Sequence, residues 1–162
     1  MSKLNGLATN QHLSRQKVGG SRTVEYLKML LDEDLAPLFR KAGAIYAYLF
    51  GSRARGEEHL KSDTDIAVWL PEHLDVMERF QTGCVLQVAL EKAVGTAVDL
   101  VILNDAKPIL QHEAVMRGNP IYTQGSLESR LRFESTIRGR YEDYAYSQRF
   151  FTATRRARMG NS

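Results

Sequence analysis

The sequence predicts a mixed α/β domain in which a small sheet is flanked by helices. Short apolar runs with the length of buried strands alternate with longer segments in which apolar residues recur at helical spacing. Glycine and proline separate many of these segments. Neither an internal repeat nor a low-complexity stretch interrupts the pattern. A fold of class α+β is therefore expected.

Length and composition are those of a single soluble globular domain. The chain has 162 residues, of which 43% are hydrophobic and 25% charged, and its net charge is +3. Cys84 is the only cysteine, so no intrachain disulfide can form. The polar start lacks the apolar segment of a signal peptide, and no apolar run is long enough to cross a bilayer. We expect a cytoplasmic protein without membrane contact.

The first half of the chain divides into an extension, a helical region and two strands. Residues 1–21 are polar and end in Gly19-Gly20 and Ser21, which predicts a flexible extension or partner-binding arm. Ser21 is a suitable N-cap for a helical pattern that runs to Leu38, which Pro37 splits or kinks. Strands are predicted over residues 44–50 and 65–70.

The second half predicts three helices and two further strands. An amphipathic helix ending near Gly95 is indicated by Leu74, Met77, Phe80, Cys84 and Val88. A short apolar strand follows over residues 97–103, then a helix capped by Asp105, then an edge strand over residues 120–123. Ser126 opens a long final helix with Leu127, Leu131, Ile137, Tyr141 and Tyr144 on one side. We divide the chain into residues 1–21, a catalytic domain over residues 22–125, and a C-terminal helix and basic tail over residues 126–162.

The most informative motif lies between the first two strands. Gly51-Ser52 is followed by ten residues and then by Asp63-Thr64-Asp65. Because side chains at i and i+2 project from one face of a strand, Asp63 and Asp65 are expected to point the same way. Two adjacent carboxylates repel each other unless a cation lies between them, and Mg²⁺ favours one or two carboxylates together with substrate phosphates. The motif predicts metal-assisted transfer of a nucleotidyl group.

This spacing resembles the signature of the DNA polymerase β nucleotidyltransferase superfamily, and the residues around it are similar to those of the minimal nucleotidyltransferases (MNT proteins). The resemblance covers roughly residues 22–123 and implies a polymerase β-like fold. It implies that Asp63, Asp65 and Asp99 ligate Mg²⁺ at two sites, with Asp99 also activating the attacking hydroxyl as a base. A carboxylate within an apolar strand is costly unless it is paired, hydrogen-bonded or bound to metal, yet Asp99 taken alone is better interpreted as a solvated acid at a strand end. The resemblance, which implies a third carboxylate on the next core strand, favours the metal-site role.

The phosphate side of the site is assigned to the loop after the first strand. Glycine at 51 allows the backbone to approach a triphosphate, and the Ser52 hydroxyl can donate to its oxygens. A Walker loop is excluded, since the Gly-Lys-Ser/Thr element is missing. Arg53 and Arg55 either hold phosphate or the carboxylates of a partner, or are solvated loop residues. For Trp69 and the tyrosines at 141, 144 and 146, packing is favoured over stacking on a base.

The acceptor is expected to be another protein. Little of the chain lies outside the catalytic pattern and the final helix, so an acceptor site for a sugar, antibiotic or RNA is hard to accommodate. The MNT resemblance implies an antitoxin that transfers AMP from ATP to a tyrosine hydroxyl of a cognate HEPN ribonuclease toxin, within a hetero-oligomer. Two alternatives remain open: a nucleotidyltransferase for small molecules such as aminoglycosides, and an antitoxin that acts by binding alone.

The C-terminal part of the chain is rich in arginine. A solvated helix face and basic tail is the favoured interpretation of this cluster, and direct binding of nucleic acid is not expected. Docking of a partner and self-association both remain open for this helix. The residues concerned are Arg130, Arg132, Arg138, Arg140, Arg149, Arg155, Arg156 and Arg158.

Overall fold

A computed structural model describes residues 35–51 and 64–159, with side chains described as far as residue 155. The predicted helix upstream of Leu35, the extension over residues 1–21 and the loop carrying Ser52 to Asp63 lie outside these residues. The described elements are α1 (Ala36–Lys41), β1 (Tyr46–Phe50), β2 (Thr64–Trp69), α2 (Val76–Val94), β3 (Val98–Ile102), a 3₁₀ turn (Leu103–Asp105), α3 (Pro108–Arg117), β4 (Asn119–Thr123) and α4 (Leu127–Met159).

The four described strands form one mixed sheet in the order β3-β2-β1-β4. β1 pairs antiparallel with β2 and with β4, whereas β2 and β3 are parallel and are connected through α2. Residues 46–50 of the central strand β1 are all buried, which explains its uninterrupted apolar sequence. The small mixed sheet and the edge position of β4 were both predicted, and both are confirmed.

Helices cover both faces of the sheet. Leu49, Ile66 and Val68 point to one face, where they pack with Leu86 and Leu90 of α2. The alternate residues of the same strands point to the other face, where Tyr48, Ala67 and Trp69 form a cluster with α3 and α4. Alternation along each strand therefore divides the core into two layers, as the period of two residues requires. Within the described residues, no helix is both long and apolar enough to cross a membrane.

The ends of α2 follow from local sequence. The Asp75 carboxylate accepts a hydrogen bond from the Glu78 amide at 2.8 Å, and the Glu78 side chain accepts one from the Asp75 amide, also at 2.8 Å. This reciprocal capping satisfies two amides that the first helical turn leaves unpaired. Gly95 ends the helix in the left-handed conformation, with φ of 75°. The predicted end near Gly95 is thus confirmed.

The predicted buried face of α2 was wrong. Met77 and Phe80 are each 62% exposed, and Cys84 and Val88 are also exposed. The helix instead buries Gly83, Leu86 and Leu90. Because Gly83 has no side chain, α2 approaches β3 closely; a Cβ there would lie 3.0 Å from the Ile102 Cδ1. Of the residues predicted for this face, Leu74 does pack against the core.

Two further predictions about helices need correction. Asp105 does not cap α3, which begins at Pro108 after Lys107; its carboxylate accepts a hydrogen bond from Arg79 Nε at 2.9 Å. In α4, which begins directly after Ser126 as predicted, Ile137 is buried but Leu127 and Leu131 are more than half exposed. The first turns of α4 contact the sheet through Phe133 instead.

Candidate active site

Gly51, Asp65 and Asp99 lie at one end of the sheet because β1 runs antiparallel to both β2 and β3. β1 ends at Phe50, where β2 and β3 begin. Asp65 is the register partner of Phe50 on one side and of Asp99 on the other. Since directly paired residues on neighbouring strands project from the same face, Asp65 and Asp99 both point to the side covered by α3 and α4.

Gly51 lies in contact with the Asp65 carboxylate. Its φ of 76° lies in the left-handed region, which side chains with a Cβ rarely adopt. A Cβ at position 51 would lie 2.0 Å from Asp65 Oδ2 and 2.7 Å from its Cγ. Both the backbone conformation and the available space therefore require glycine. The Asp65 carboxylate therefore lies directly against the backbone at position 51.

The two described carboxylates differ in exposure. Asp65 is half-buried, whereas Asp99 is exposed. The argument that burial makes Asp99 costly therefore fails, because its carboxylate remains hydrated. What distinguishes Asp99 is its register opposite Asp65, which places a second acidic side chain beside the first on the same face.

Four predicted site residues lie outside the described part of the chain: Ser52, Arg53, Arg55 and Asp63. The structure brings together Gly51, Asp65 and Asp99, and Asp63 directly precedes the first residue of β2. The roles assigned to all seven residues stay predictions.

The described residues suit a hard divalent cation. Asp65 and Asp99 offer neighbouring carboxylate oxygens, which Mg²⁺ binds in preference to nitrogen or sulfur. Among the described residues no three acidic, histidine or cysteine side chains are grouped closely enough to hold a metal alone. An incomplete protein ligand set is what Mg²⁺ commonly has in phosphate-transfer sites, where substrate oxygens and water fill the remaining positions. The carboxylates, if joined by Asp63, thus fit Mg²⁺.

Thr64 was not predicted as a site residue, although it aligns the two strands that carry the carboxylates. It is fully buried and projects to the face opposite Asp65. Its hydroxyl lies 3.3 Å from the Thr96 hydroxyl, and its amide donates to the Ala97 carbonyl at 3.0 Å. These contacts connect the start of β2 to the segment before β3. The signal in the sequence was a hydroxyl residue between two aspartates, for which the period of a strand predicts the opposite face.

Gly118 brings the end of α3 against the strand that leads to Gly51. A Cβ at position 118 would lie 2.1 Å from the Ala114 carbonyl oxygen and 2.8 Å from the Leu49 carbonyl oxygen. The sequence marked Gly118 as a helix stop, and this close approach to β1 is a second reason for glycine there.

Buried contacts pack α4 against the face of the sheet from which Asp65 projects. The Tyr48 hydroxyl donates to Glu134 Oε1 at 3.1 Å, and Arg130 Nη1 lies 3.1 Å from the same oxygen. Burial, and next the charge of Glu134, raise the pKa of Tyr48 well above its ordinary value. Trp69 is 7% exposed and packs edge-on against Phe133. The preference for packing over base stacking is confirmed for Trp69.

Comparison with known proteins relates the chain to nucleotidyl-transferring enzymes. A family model described as polymerase beta, nucleotidyltransferase matches residues 33–126, which is more than half of the chain. Over 75 residues the chain is 37% identical to the protein adenylyltransferase MntA of Shewanella oneidensis. This alignment covers 46% of the chain and 51% of MntA, so the chain spans about half the length of this curated relative.

Solved structures with a similar fold come from toxin–antitoxin complexes. A chain from a toxin–antitoxin crystal structure with AMP-PNP matches with a TM-score of 0.59 and 28% identity, covering 73% of this chain and 92% of that one. A chain from a complex of a tri-AMPylated Shewanella oneidensis HEPN toxin with its MNT antitoxin matches with a TM-score of 0.57. At 23% identity, over 79% of this chain and 97% of that chain, this second match shows the fold alone.

Proposed function

This chain belongs to the polymerase β nucleotidyltransferase family, and on that premise we propose that it transfers AMP from ATP to a tyrosine hydroxyl of a cognate HEPN toxin. The transfer silences the toxin and makes this protein an antitoxin. One observation carries the proposal: the Asp65 carboxylate rests on the backbone of Gly51 and lies in register with Asp99 at a single edge of the sheet. The phosphates of the donor and the carboxylates that would bind Mg²⁺ then share one site.

The reaction is an in-line displacement at the α-phosphorus of ATP. The tyrosine oxygen forms a bond to the α-phosphorus, the bond to the bridging oxygen breaks, and pyrophosphate leaves with the electron pair. The tyrosine proton passes to Asp99, whose exposed position suits contact with an acceptor from another molecule. Mg²⁺ held by Asp63, Asp65 and Asp99 would neutralise charge on the attacking and departing oxygens.

The phosphate-binding role falls to the segment that begins at Gly51. Its close approach to Asp65 would place backbone next to the triphosphate, where a side chain at that position would interfere. We assign the Ser52 hydroxyl and the guanidinium groups of Arg53 and Arg55 to hydrogen bonds with the phosphate oxygens. These assignments rest on the motif, because the three residues lie outside the described ranges.

A protein acceptor is supported by the relatives. MntA of Shewanella oneidensis is a protein adenylyltransferase, and the match at 28% identity comes from a toxin–antitoxin complex crystallised with an ATP analogue. A tyrosine is the acceptor that the MNT resemblance implies.

The decisive experiment measures AMP transfer directly. The cognate toxin is incubated with ATP, Mg²⁺ and this protein, intact mass is recorded, and the modified residue is mapped by tandem mass spectrometry. We expect AMP on tyrosine, and no transfer when divalent cations are chelated. Asp65→Asn and Asp99→Asn should each lower the rate by at least about a hundredfold. Asp143→Asn, a change at an exposed acid on α4, is the matched control and should transfer normally.

The same reagents distinguish an antitoxin that acts by AMP transfer from one that acts by binding alone. If toxin ribonuclease activity falls equally with and without ATP, or if Asp65→Asn protects as well as the native protein, the antitoxin acts by binding and the proposal is wrong. Transfer to a residue other than tyrosine would overturn the acceptor assignment alone.

A further inference from the structure

The starts of β2 and β3 determine where the two described carboxylates of the candidate site lie. Thr64, the first residue of β2, is the register partner of Val98, the first residue of β3. Asp65 and Asp99 directly follow these two residues and are themselves paired. A shift of one strand start relative to the other would therefore change the separation of the two carboxylates.

A pair of hydroxyl groups connects the two strand starts. The Thr64 hydroxyl lies 3.3 Å from the hydroxyl of Thr96, which precedes β3. The Thr64 amide also donates to the Ala97 carbonyl at 3.0 Å. Val98 is held from the side of α2, where its amide donates to Glu91 Oε1 at 3.3 Å. Of these three contacts, the hydroxyl contact is the one that joins the side chains of both segments.

Stability alone does not account for a hydroxyl at position 64. Thr64 is fully buried, whereas Thr96 is exposed. Valine has nearly the same shape as threonine without the hydroxyl, and the exposed Thr96 hydroxyl could bond to water instead. Replacing a hydrogen-bonded group by an apolar one of the same shape costs little when the former partner remains hydrated. A buried hydroxyl that folding does not require indicates a role in the neighbouring site.

We propose that Thr64 is a positioning residue for the metal site: through Thr96, its hydroxyl fixes the start of β3 so that Asp99 can bind a divalent cation together with Asp65. The inference rests on the proposed function, since it concerns the cation of that reaction. Mg²⁺ requires nearly ideal octahedral geometry, so a small displacement of one carboxylate weakens its binding. Loss of a residue that orients metal ligands typically lowers metal affinity by about 10–100-fold.

The test measures Mn²⁺ binding by the full chain in the presence of AMP-PNP, using electron paramagnetic resonance. Mn²⁺ prefers the same oxygen ligands as Mg²⁺. Thr64→Val should weaken Mn²⁺ binding by about tenfold or more, and its thermal unfolding midpoint should stay within about 2 °C of the native value. Thr136→Val, a change at an exposed threonine of α4, is the matched control and should bind Mn²⁺ as the native protein does.

Thr64→Ser separates positioning from packing. Serine keeps the hydroxyl but removes a buried methyl group, so this variant should bind Mn²⁺ nearly as tightly as the native protein. Its unfolding midpoint should nevertheless fall by about 2–4 °C. A purely structural role for Thr64 predicts the opposite order, with Thr64→Ser the more damaging change for both measurements.

Thr96→Val removes the same contact from the other side. It should weaken Mn²⁺ binding as much as Thr64→Val does. The double variant should bind no more weakly than either single variant, since the two changes remove one shared interaction. In AMP transfer, Thr64→Val should raise the Mg²⁺ concentration that gives half of the maximal rate, and its rate should approach the native rate at saturating Mg²⁺.

Several outcomes would overturn the proposal. These are native Mn²⁺ affinity in Thr64→Val, equal losses of affinity in Thr64→Ser and Thr64→Val, additive effects of the changes at positions 64 and 96, and a native protein that binds no Mn²⁺. The binding measurements contain no toxin. A protein that binds Mn²⁺ with the expected dependence on Thr64 but transfers no AMP would refute the proposed function and leave this inference standing.

Discussion

At the candidate active site, two separate requirements make glycine necessary at position 51. Its φ of 76° requires a left-handed backbone, and the Asp65 carboxylate occupies the space that a side chain would take. The first demand is one of local conformation, whereas the second concerns the site itself. Gly43, another glycine with positive φ, allows these demands to be separated by experiment.

Gly51→Ala is expected to lower the rate of AMP transfer by about a hundredfold, because the new methyl group displaces the Asp65 carboxylate. Gly43→Ala is the matched control, since Gly43 has φ of 71° and nothing within 4 Å of the added Cβ. Both changes should cost about 1–2 kcal/mol of folding free energy through backbone strain. The rate of AMP transfer is measured for each variant and normalised to the amount of folded protein. Equal rates for Gly51→Ala and Gly43→Ala would contradict this explanation.

The family resemblance predicted that Gly51, Asp65 and Asp99 lie together, whereas the period of two residues in a strand predicts only that Asp63 and Asp65 share a face. The sequence did not predict how exposed the Asp99 side chain is. Asp99 lies in an apolar run yet is exposed, since nothing in the described structure covers its side of β3 there. The hydroxyl contact between Thr64 and Thr96 was also unpredictable, because it joins residues 32 positions apart.

Among the helices, α2 carries apolar residues on two sides. The stripe that includes Phe80 meets the helical period as well as the one that includes Leu86 and Leu90. Periodicity identifies a helix but does not select between two such stripes. The selection comes from Gly83, whose missing side chain lets that side of α2 approach Ile102 on β3.

Leu90→Ala should destabilise the protein by about 2–5 kcal/mol, because Leu90 is fully buried between α2 and the sheet. Phe80→Ala removes a larger side chain from the same helix but should change the free energy of unfolding by less than about 1 kcal/mol. Urea denaturation monitored by circular dichroism measures both. A larger loss for Phe80→Ala than for Leu90→Ala would show that the buried face has been misassigned.

The contact between β1 and α4 predicts a pH dependence. Burial and Glu134 raise the pKa of Tyr48, so in the folded protein its hydroxyl keeps its proton above pH 10, where an unfolded tyrosine releases it. The unfolded state then binds fewer protons than the folded state, and stability falls as pH rises. This stabilising contribution is complete below pH 10 and is lost at a rate approaching 1.4 kcal/mol per pH unit above it.

Tyr48→Phe should therefore flatten the decline of unfolding free energy between pH 10 and 11, relative to the native protein. At neutral pH the same variant should lose about 1 kcal/mol with the hydrogen bond to Glu134. Tyr146→Phe, at an exposed position, should reproduce the native pH profile. Parallel profiles for native protein and Tyr48→Phe would contradict the assignment.

At the scale of the whole molecule, the two halves of α4 differ in how they pack against the domain. Its first half belongs to the core through Phe133 and Ile137, and its second half has no comparable contact among the described residues. Removal of residues 146–162 should therefore change the free energy of unfolding by less than about 1 kcal/mol in dilute solution, whereas Ile137→Ala should cost about 2–5 kcal/mol. Thermal unfolding of both variants at low protein concentration tests this, and a large loss on truncation would contradict it.

Fold class and family were predicted from the sequence, and both are confirmed. The order of the strands was not predicted. β1 pairs with β2 nearby in the chain but also with β4 about seventy residues later, and no local pattern specifies the second pairing. The boundaries proposed at residues 21 and 125 stay predictions.

The strand order has a consequence for solubility. The described sheet ends in β3 on one side and β4 on the other, and an open strand edge can recruit strands from other molecules. β4 carries Pro120, which cannot donate a backbone hydrogen bond, and β3 carries the charge of Asp99. The carboxylate assigned to catalysis thus also discourages edge-to-edge aggregation, so replacing it with an uncharged residue removes a safeguard against aggregation together with the proposed base.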